Sequence, residues 1–361
     1  HVIPVTNPDG YVWSWDENRL WRKNRRDNGD GSFGVDLNRN WSFQWGGQGA
    51  SENPSSAIYR GTGPFSEPES TVLSQYILDL GDVAAHLDVH SYGQLILSPF
   101  GYDFVEPEGI TGRTHLVLGR NFADYIAEVS GAIYDPGPAW GLYLASGTCS
   151  DWAHGGAGAI SFTFELRPAN ANEGGFVLPP EAIEPTATEN REAFLDLCRA
   201  VAAAVRFNLP DGLPPFLVAS DPEPIAVFAL PVASADLLPA TATALVSVPG
   251  QDVQSVPLSP TDDLGGYALA LPPLPCGRMI GLAFEIQSAD GLTYRHPTAP
   301  EEFLPVLATE PTVLFADDAE TDPGWTVEDV EVTSGTWERG VPAHDGSRGD
   351  PIRDADNSGS A

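Results

Sequence analysis

The pattern of hydrophobic and polar positions divides the chain into two parts, and strands alternate with helices in the first. Residues 85–92, Ala-His-Leu-Asp-Val-His-Ser-Tyr, alternate apolar and polar side chains, which predicts a strand that ends in a polar loop. Residues 159–166 predict a second strand. Val2–Val5 predicts a buried strand that leads into a turn at residues 7–10, Asn-Pro-Asp-Gly.

Three helices are predicted around these strands. Residues 66–69, Ser-Glu-Pro-Glu, have the pattern of a capping box, which predicts a helix that ends at Gly81. A second helix is predicted from about Thr114 to Val129, and a third from about Thr188 to Phe207. Alternating strands and helices predict an α/β fold with a mixed sheet flanked by helices, over residues 1–210.

The second part of the chain loses the helical pattern. From residue 214 onwards prolines recur every few residues and separate short Val, Leu and Ala runs, which predicts a β-sandwich domain over residues 214–308. Residues 312–361 are too few and too polar to bury a core of their own, so we expect the truncated, poorly ordered start of a further β domain.

Composition narrows the class of protein. The 361 residues carry a net charge of -32 and a sequence pI near 4.2, which argues against nucleic acid and anionic membranes as partners. The sequence has no apolar run long enough to span a bilayer. Its three cysteines imply no disulfide framework; Cys149 is interpreted as a buried structural thiol, with a reactive thiol as the alternative.

Two histidines in the first predicted strand are candidates for metal binding. His86 and His90 have the spacing that places two imidazoles on one face of a helix. On the predicted strand they lie roughly 13 Å apart at about 3.3 Å per residue, too far to share one ion. His90 alone is therefore the candidate ligand, and a structural histidine is the alternative.

Several motifs of the first part occur together and in order. They are Asn-Pro-Asp-Gly-Tyr at 7–11, Trp-Arg-Lys-Asn-Arg at 21–25, Gly-Val-Asp-Leu-Asn-Arg-Asn-Trp at 34–41, His-Ser-Tyr at 90–92 and Phe-Thr-Phe-Glu-Leu-Arg at 162–167. In this order and spacing, the chain resembles the zinc carboxypeptidases of the carboxypeptidase A/B type over nearly all of residues 1–209. The resemblance implies hydrolysis of the C-terminal peptide bond of peptides and proteins, with one zinc ion.

The resemblance assigns the groups that act on the peptide bond. Glu165 matches the general base, and Arg22 matches the arginine that stabilises the oxyanion. His90 matches the later zinc histidine, and Asp36 matches a carboxylate that orients a zinc histidine. These residue types suit the chemistry, because hydrolysis needs an activated water and positive charge where the oxyanion develops.

A second set of residues is implied to bind substrate. Asn38 and Arg39 match the pair that holds the terminal carboxylate, for which a guanidinium is well shaped. Tyr143 matches the tyrosine that closes over the terminal residue, Tyr92 a residue of the preceding subsite, and Arg19 a further substrate-side arginine.

The resemblance implies that Ser150 lies at the floor of the specificity pocket. A small neutral residue there predicts release of neutral or apolar C-terminal residues. The family also has cis peptides at positions that match Ser91-Tyr92, Pro99-Phe100 and Arg167-Pro168.

The zinc motif departs from the family pattern. The family pairs a His-x-x-Glu, placed ahead of Asn-Pro-Asp-Gly, with the later histidine, and here only His90 is found. We therefore expect this chain to be a piece of a longer secreted or extracellular enzyme, without the signal peptide and inactive by itself. A zinc-free pseudoenzyme that binds peptide C-termini is the alternative function, and the oligomeric state is not predicted.

Overall fold

The structure is a computed structural model in which residues 1–232, 235–297 and 303–310 are described. His1–Thr309 form one compact unit. The predicted third segment, residues 312–361, lies outside the described residues.

The first part of this unit has the predicted α/β architecture. Its helices are α1 (Pro8–Asp16), α2 (Pro68–Leu80), α3 (Gly109–Ser130), α4 (Cys149–Gly155) and α5 (Ile183–Ala203), and its strands are β1 (Ala85–Ser91), β2 (Leu95–Ser98), β3 (Asp135–Pro138) and β4 (Ile160–Leu166). The strands form one sheet in the order β1-β4-β2-β3. β1 is parallel to β4, whereas β2 is antiparallel to β4, so the sheet is mixed as predicted.

One face of this sheet is apolar and packs against α3 and α5. Phe162 and Phe164 of β4 are almost fully buried in one cluster with Phe122 of α3 and Leu197 of α5. Because side chains alternate between the two faces of a strand, the other face receives the intervening polar residues.

The polar residues of β1 and β4 form a ladder along that second face. The parallel register sets three pairs side by side: His86 with Ser161, Asp88 with Thr163, and His90 with Glu165. We call these six residues the polar ladder. It runs from the interior of the sheet to the strand ends, where it carries the predicted general base, Glu165, and the predicted metal ligand, His90.

The second part of the unit consists of strands alone. They are β5 (Val205–Asn208), β6 (Phe216–Val218), β7 (Ile225–Pro231), β8 (Leu237–Ser247), β9 (Gln254–Pro257), β10 (Ser259–Pro260), β11 (Gly266–Leu269), β12 (Arg278–Ser288), β13 (Thr293–His296) and β14 (Leu304–Thr309). One sheet has the order β10-β11-β7-β5, and the other has the order β6-β14-β12-β8-β9 with β13 paired to β12. Side chains of both sheets share one apolar cluster, which includes Phe207, Val227, Leu282 and Phe284.

Helix α3 joins the two parts. Val117 of α3 is buried with Phe228 and Leu230 of β7. Arg113, one turn earlier, pairs with Asp263 at 2.9 Å. The mixed sheet and the sandwich are therefore packed directly on each other through α3.

Two predictions for the start of the chain are wrong. Val2–Val5 are exposed and form no strand, because no described strand pairs with them. Residues 7–10 begin helix α1 instead of a turn. Asn7 accepts a hydrogen bond from Gly10 N through its side chain, and Pro8 occupies the first helical position. Asn-Pro is as suitable for a helix start as for a turn.

Helix boundaries also differ from the predictions. Helix α2 begins after Glu67, and Ser66 is not its cap. Helix α3 begins at Gly109, five residues before the predicted Thr114. Helix α5 ends at Ala203, since Ala204 takes a left-handed conformation and Val205–Asn208 form a strand. The β-branched and aromatic residues at 205–207 explain this change.

Candidate active site

A cavity of about 310 Å³ lies at the polar ends of β1 and β4. Parallel strands that end at the same sheet edge commonly create such a cleft. The side chains that line it come from distant parts of the sequence and include Arg22, Asn38, Arg39, His90, Tyr143 and Glu165. The structure thus brings together residues that the sequence separates by more than a hundred positions.

Glu165 is the buried carboxylate of the cavity. Its side chain is at the end of the polar ladder and only 8 % exposed. Its Oε2 atom has no hydrogen-bond partner among the described residues. Burial raises the pKa of Glu165, against the attraction of His90 and Arg22. A carboxylate with a free oxygen and a raised pKa is suited to accept and return a proton.

His90 pairs with a residue that sequence analysis did not single out. Its Nε2 atom lies 2.9 Å from Oδ2 of Asp88, two positions earlier on the same face of β1. The attraction of Asp88 raises the pKa of His90 to about 9. Burial disfavours the ionised form of Asp88 and would raise its pKa. The attraction and hydrogen bond of His90 have the larger effect and lower the pKa of Asp88 to about 2. The signal was present in the sequence as alternating His86, Asp88 and His90.

The described residues do not complete a zinc site. Among them, no group of three or more His, Cys, Asp or Glu side chains is arranged to hold a metal ion. A catalytic zinc generally has three protein ligands and one open position. His90 is thus a single candidate ligand among the described residues.

Arg22 is held by Asp36. The Arg22 Nε atom donates to Asp36 Oδ2 at 3.0 Å, and the other carboxylate oxygen accepts from Asn38 N at 3.1 Å. Asp36 also caps the short 3-10 turn Leu37–Arg39. One carboxylate therefore fixes both the predicted oxyanion arginine and the start of the predicted carboxylate anchor. Among the described residues Asp36 contacts this arginine, whereas the resemblance assigned it to a histidine.

Arg39 is buried and partly restrained. Its side chain is 3 % exposed, and it donates from Nε to Gly49 O at 2.7 Å and from Nη1 to Asn38 O at 2.6 Å. The Asn38 side chain accepts from Cys149 N at 2.8 Å. Its Nδ2 is left near His90 Nε2 at 3.5 Å. Arg39 Nη2 and Asn38 Nδ2 remain available to a carboxylate in the cavity.

Comparison with known proteins identifies the family. A profile of zinc carboxypeptidases matches residues 1–193, more than half of the chain. The chain belongs to the zinc carboxypeptidase family. It is 39 % identical to human carboxypeptidase O over 206 residues, 56 % of this chain and 54 % of that protein. It is 41 % identical to bovine carboxypeptidase B over 192 residues, 52 % of this chain and 45 % of that protein.

Solved carboxypeptidase structures have the same fold. Bovine thrombin-activatable fibrinolysis inhibitor, in complex with tick carboxypeptidase inhibitor, matches with a TM-score of 0.52 and 34 % identity, over 55 % of this chain and 68 % of that one. Carboxypeptidase A from Helicoverpa armigera matches with a TM-score of 0.51 and 37 % identity, over 56 % of this chain and 51 % of that one. The chain spans about half the length of the curated relatives it matches. The predicted carboxypeptidase-like α/β fold is confirmed.

Of the other residues predicted to bind substrate, the two tyrosines line the cavity of this zinc carboxypeptidase fold and the arginine does not. Tyr92 lines the cavity, and its ring packs edge-on against Phe176 with centroids 4.7 Å apart. Tyr143 is 52 % exposed, and its ring lies 5.9 Å from the Arg39 guanidinium. Arg19 instead stacks on the Trp15 ring and does not line the cavity.

The cis peptide bonds follow the resemblance, and the environment of Cys149 bears on the two interpretations of its thiol. Ser91-Tyr92, Pro99-Phe100 and Arg167-Pro168 are cis, as the resemblance implied, and so is His296-Pro297. Cys149 is only partly exposed, and burial raises the pKa of its thiol well above the ordinary value. This favours the interpretation of a structural thiol over a reactive one.

The inner end of the cavity is lined by small and polar side chains. Ser150 is 6 % exposed and lies 3.0 Å, Oγ to Oγ, from Ser161 of the polar ladder. Asp151 accepts from Gly101 N at 2.9 Å and from Tyr102 N at 3.1 Å. Burial raises the pKa of Asp151 to about 6.

Among the described residues no helix is long and apolar enough to cross a membrane.

Proposed function

We propose that the protein is a zinc-dependent carboxypeptidase that hydrolyses the C-terminal peptide bond of peptides and proteins. The observation that carries this proposal is the single cavity that contains Arg39, Asn38, Arg22, Glu165 and His90. These side chains provide an anion anchor, a fixed positive charge, a proton acceptor and a candidate metal ligand. Membership of the zinc carboxypeptidase family supports the same reaction.

Each group has a distinct task in the proposed reaction. Arg39 and Asn38 bind the free carboxylate of the substrate, and Tyr143 covers the terminal residue. Glu165 takes a proton from the attacking water and returns it to the leaving amine. Arg22, oriented by Asp36, stabilises the negative charge that develops on the carbonyl oxygen. When bound, zinc would supply Lewis-acid polarisation of the water and the carbonyl.

We further propose that neutral or apolar residues are released and that the protein acts outside the cell. Ser150 at the inner end of the cavity is small and uncharged, and the neighbouring Asp151 carboxylate is bound to Gly101 N and Tyr102 N, which supports the first proposal. The charge of -32 agrees with a secreted protein that has no nucleic-acid partner. We also propose residues 1–210 as the catalytic domain and 214–308 as an accessory β-sandwich domain, to which the end of the catalytic segment contributes strand β5.

A binding protein without zinc is the second candidate function. It is favoured by the observation that the described residues supply His90 but no group of three metal ligands. Such a protein would use Arg39 and Tyr143 to hold peptide C-termini without cleaving them.

Hydrolysis of blocked dipeptides separates the two functions. The chain as given is expected to bind peptides with a free C-terminus, to bind amidated peptides weakly, and to release no product. A version that carries a His-x-x-Glu segment ahead of His1 is expected to cleave them, and a chelator is expected to abolish the cleavage. Hydrolysis that persists in chelator would contradict zinc dependence. Binding without hydrolysis by the extended version would favour the second function.

A further inference from the structure

A chain of hydrogen-bonding groups lies behind the inner end of the cavity. Ser150 Oγ is 3.0 Å from Ser161 Oγ, and Ser161 Oγ is 3.0 Å from Nδ1 of His86. The other ring nitrogen of His86 lies 3.5 Å from the Cys149 sulfur. We call these four side chains the floor relay. Of its members only Ser150 lines the cavity.

The floor relay controls how the Ser150 hydroxyl is oriented. Burial lowers the pKa of His86, which keeps the imidazole neutral with one donor and one acceptor nitrogen. If the Cys149 thiol donates to His86, then His86 donates to Ser161 and Ser161 donates to Ser150. Ser150 then has its own hydroxyl proton free for the cavity. If His86 donates to Cys149 instead, Ser150 donates to Ser161 and offers oxygen lone pairs to the cavity.

In both arrangements Ser150 keeps an unused hydrogen-bonding valence. It is 6 % exposed, and among the described residues its hydroxyl has no partner other than Ser161. Thr163, on the wall of the same cavity, also has no hydrogen-bond partner for its hydroxyl in the described part of the chain. An apolar side chain that fills this space would leave these valences buried and unpaired, which disfavours its binding.

The carboxylates near this end are already engaged. Asp88, beside Thr163 in the polar ladder, pairs with His90 at 2.9 Å. Both oxygens of Asp151 accept backbone N–H groups from Gly101 and Tyr102. A cationic side chain at this inner end would therefore find Asp88 and Asp151 already paired, and an anionic one would enter beside two acidic groups. Glu165, whose Oε2 atom is unpaired among the described residues, lies at the strand ends instead of at this inner end.

We propose that the floor relay selects C-terminal residues with an uncharged, hydrogen-bonding side chain, above all an amide such as that of glutamine. An amide carries both a donor and an acceptor, so it satisfies Ser150 in either orientation. Ser150 is the specificity-determining residue, and His86 is a positioning residue that acts through Ser161. This inference rests on the proposed function, since it assigns a substrate class to the same cavity, and it narrows the neutral or apolar residues proposed above to the hydrogen-bonding ones.

Peptide binding to the whole chain, measured by titration calorimetry, tests the inference without requiring hydrolysis. The probes are acetyl-dipeptides with a free C-terminal Gln, Met, Lys or Ala, and an amidated form of the Gln peptide. Gln and Met have similar length, so their ratio reports the amide alone. We expect the Gln peptide to bind about tenfold more tightly than the Met peptide, and the amidated peptide to bind far more weakly.

Two variants locate the effect. Ser150→Ala and His86→Phe are each expected to reduce the Gln-to-Met preference to near unity. The Ala peptide, whose side chain is too short to reach the floor, is the reference probe for each variant. Cys149→Ser keeps a hydrogen-bonding group beside His86 and should retain the preference. Ser74→Ala is the matched control, since Ser74 is a buried serine whose hydroxyl bonds only within helix α2.

The outcomes separate this inference from the proposed function. A Met peptide that binds as tightly as the Gln peptide overturns the inference, and so does tightest binding of the Lys peptide. A preference that survives His86→Phe but is lost in Ser150→Ala overturns the role of His86. If His86→Phe does not fold, Ser150→Ala alone decides the main proposal. Binding that does not depend on the free carboxylate overturns the proposed function as well.

Discussion

The two parts of the compact unit bury different kinds of side chain. In the α/β part, ionisable groups such as Arg39, Asp151, Glu165 and Glu189 are nearly or fully buried. In the described part of the sandwich, Ser288 is the one buried polar side chain, and the rest of its core is apolar. Buried polar groups are costly unless they are paired. The α/β part therefore gives up stability to hold a site, whereas the sandwich core contributes stability without chemistry.

The largest expected effect is a loss of stability from a substitution in the sandwich core, which should leave peptide binding unchanged. Phe284 of β12 is fully buried in the sandwich core, so Phe284→Ala is expected to lower the free energy of unfolding by about 4 kcal/mol. Urea unfolding followed by circular dichroism measures this loss. Phe216→Ala is the control, since that ring is 39 % exposed. Peptide affinity of the folded Phe284→Ala protein should be unchanged; a change above about twofold would contradict the separation.

The next effect uses pH to expose a buried polar group of the α/β part. Burial lowers the pKa of His115 to about 4, and its ring accepts from Ser161 N at 3.4 Å. Because the folded pKa lies below the ordinary 6.5, the fold favours neutral His115. Its contribution to stability is complete above pH 6.5 and is lost as pH falls towards 4, by about 3 kcal/mol.

The variant His115→Phe checks this assignment. Unfolding free energies at pH 7.5, 5.5 and 4 should fall less steeply in His115→Phe than in the parent chain. His1→Asn, which changes an exposed histidine, should keep the parental slope. Equal slopes in all three proteins would mean that His115 is not the group that titrates.

The same contrast explains how far sequence could predict the molecule. Strands β1 and β4 and their polar faces follow from alternation, and the order of the motifs was sufficient to bring Arg22, Arg39 and Glu165 to one site. The prediction of a strand at Val2–Val5 was wrong because a strand needs a pairing partner, and that partner can lie anywhere in the chain. Local pattern could not supply that partner.

Side-chain pairing was the less predictable part of the site. Asp36 pairs with Arg22, and Asp88 pairs with His90. Both pairs depend on side-chain rotamers, which are set by the residues packed around the cavity. The link from Ser150 to His86 depends on the register of two strands that are separated by more than sixty residues. Type and spacing of residues indicated the chemistry, but only the fold showed which polar groups restrain one another.

The third prediction concerns a substitution in the cavity, which should weaken peptide binding without affecting the sandwich. Arg39→Ala removes a buried guanidinium, the proposed carboxylate anchor, and it is expected to weaken binding of peptides with a free C-terminus by about a hundredfold. Arg60→Ala is the matched control, because Arg60 is also largely buried but bonds to Gly46 O and Glu52 outside the cavity. Similar losses in both variants would show that the cavity is disturbed by any missing cation, and that Arg39 is not a specific anchor.

The smallest expected effect is a gain of stability, from a substitution of Glu165. It tests whether the buried polar groups of the α/β part reduce the stability of the fold. Burial raises the pKa of Glu165, and its Oε2 atom has no partner among the described residues, so its charge should destabilise the fold at neutral pH. Glu165→Gln is therefore expected to raise the free energy of unfolding at pH 7.5, by about 1 kcal/mol as is typical of a single stabilising substitution. The gain should disappear at pH 4, below the ordinary pKa of 4.5, where the native carboxyl is neutral. Glu181→Gln, at an exposed position, should change neither value. Destabilisation by Glu165→Gln would show that His90 and Arg22 hold this carboxylate as a structural ion pair, and the buried charges of the α/β part would then be stabilising elements instead of the cost of a site.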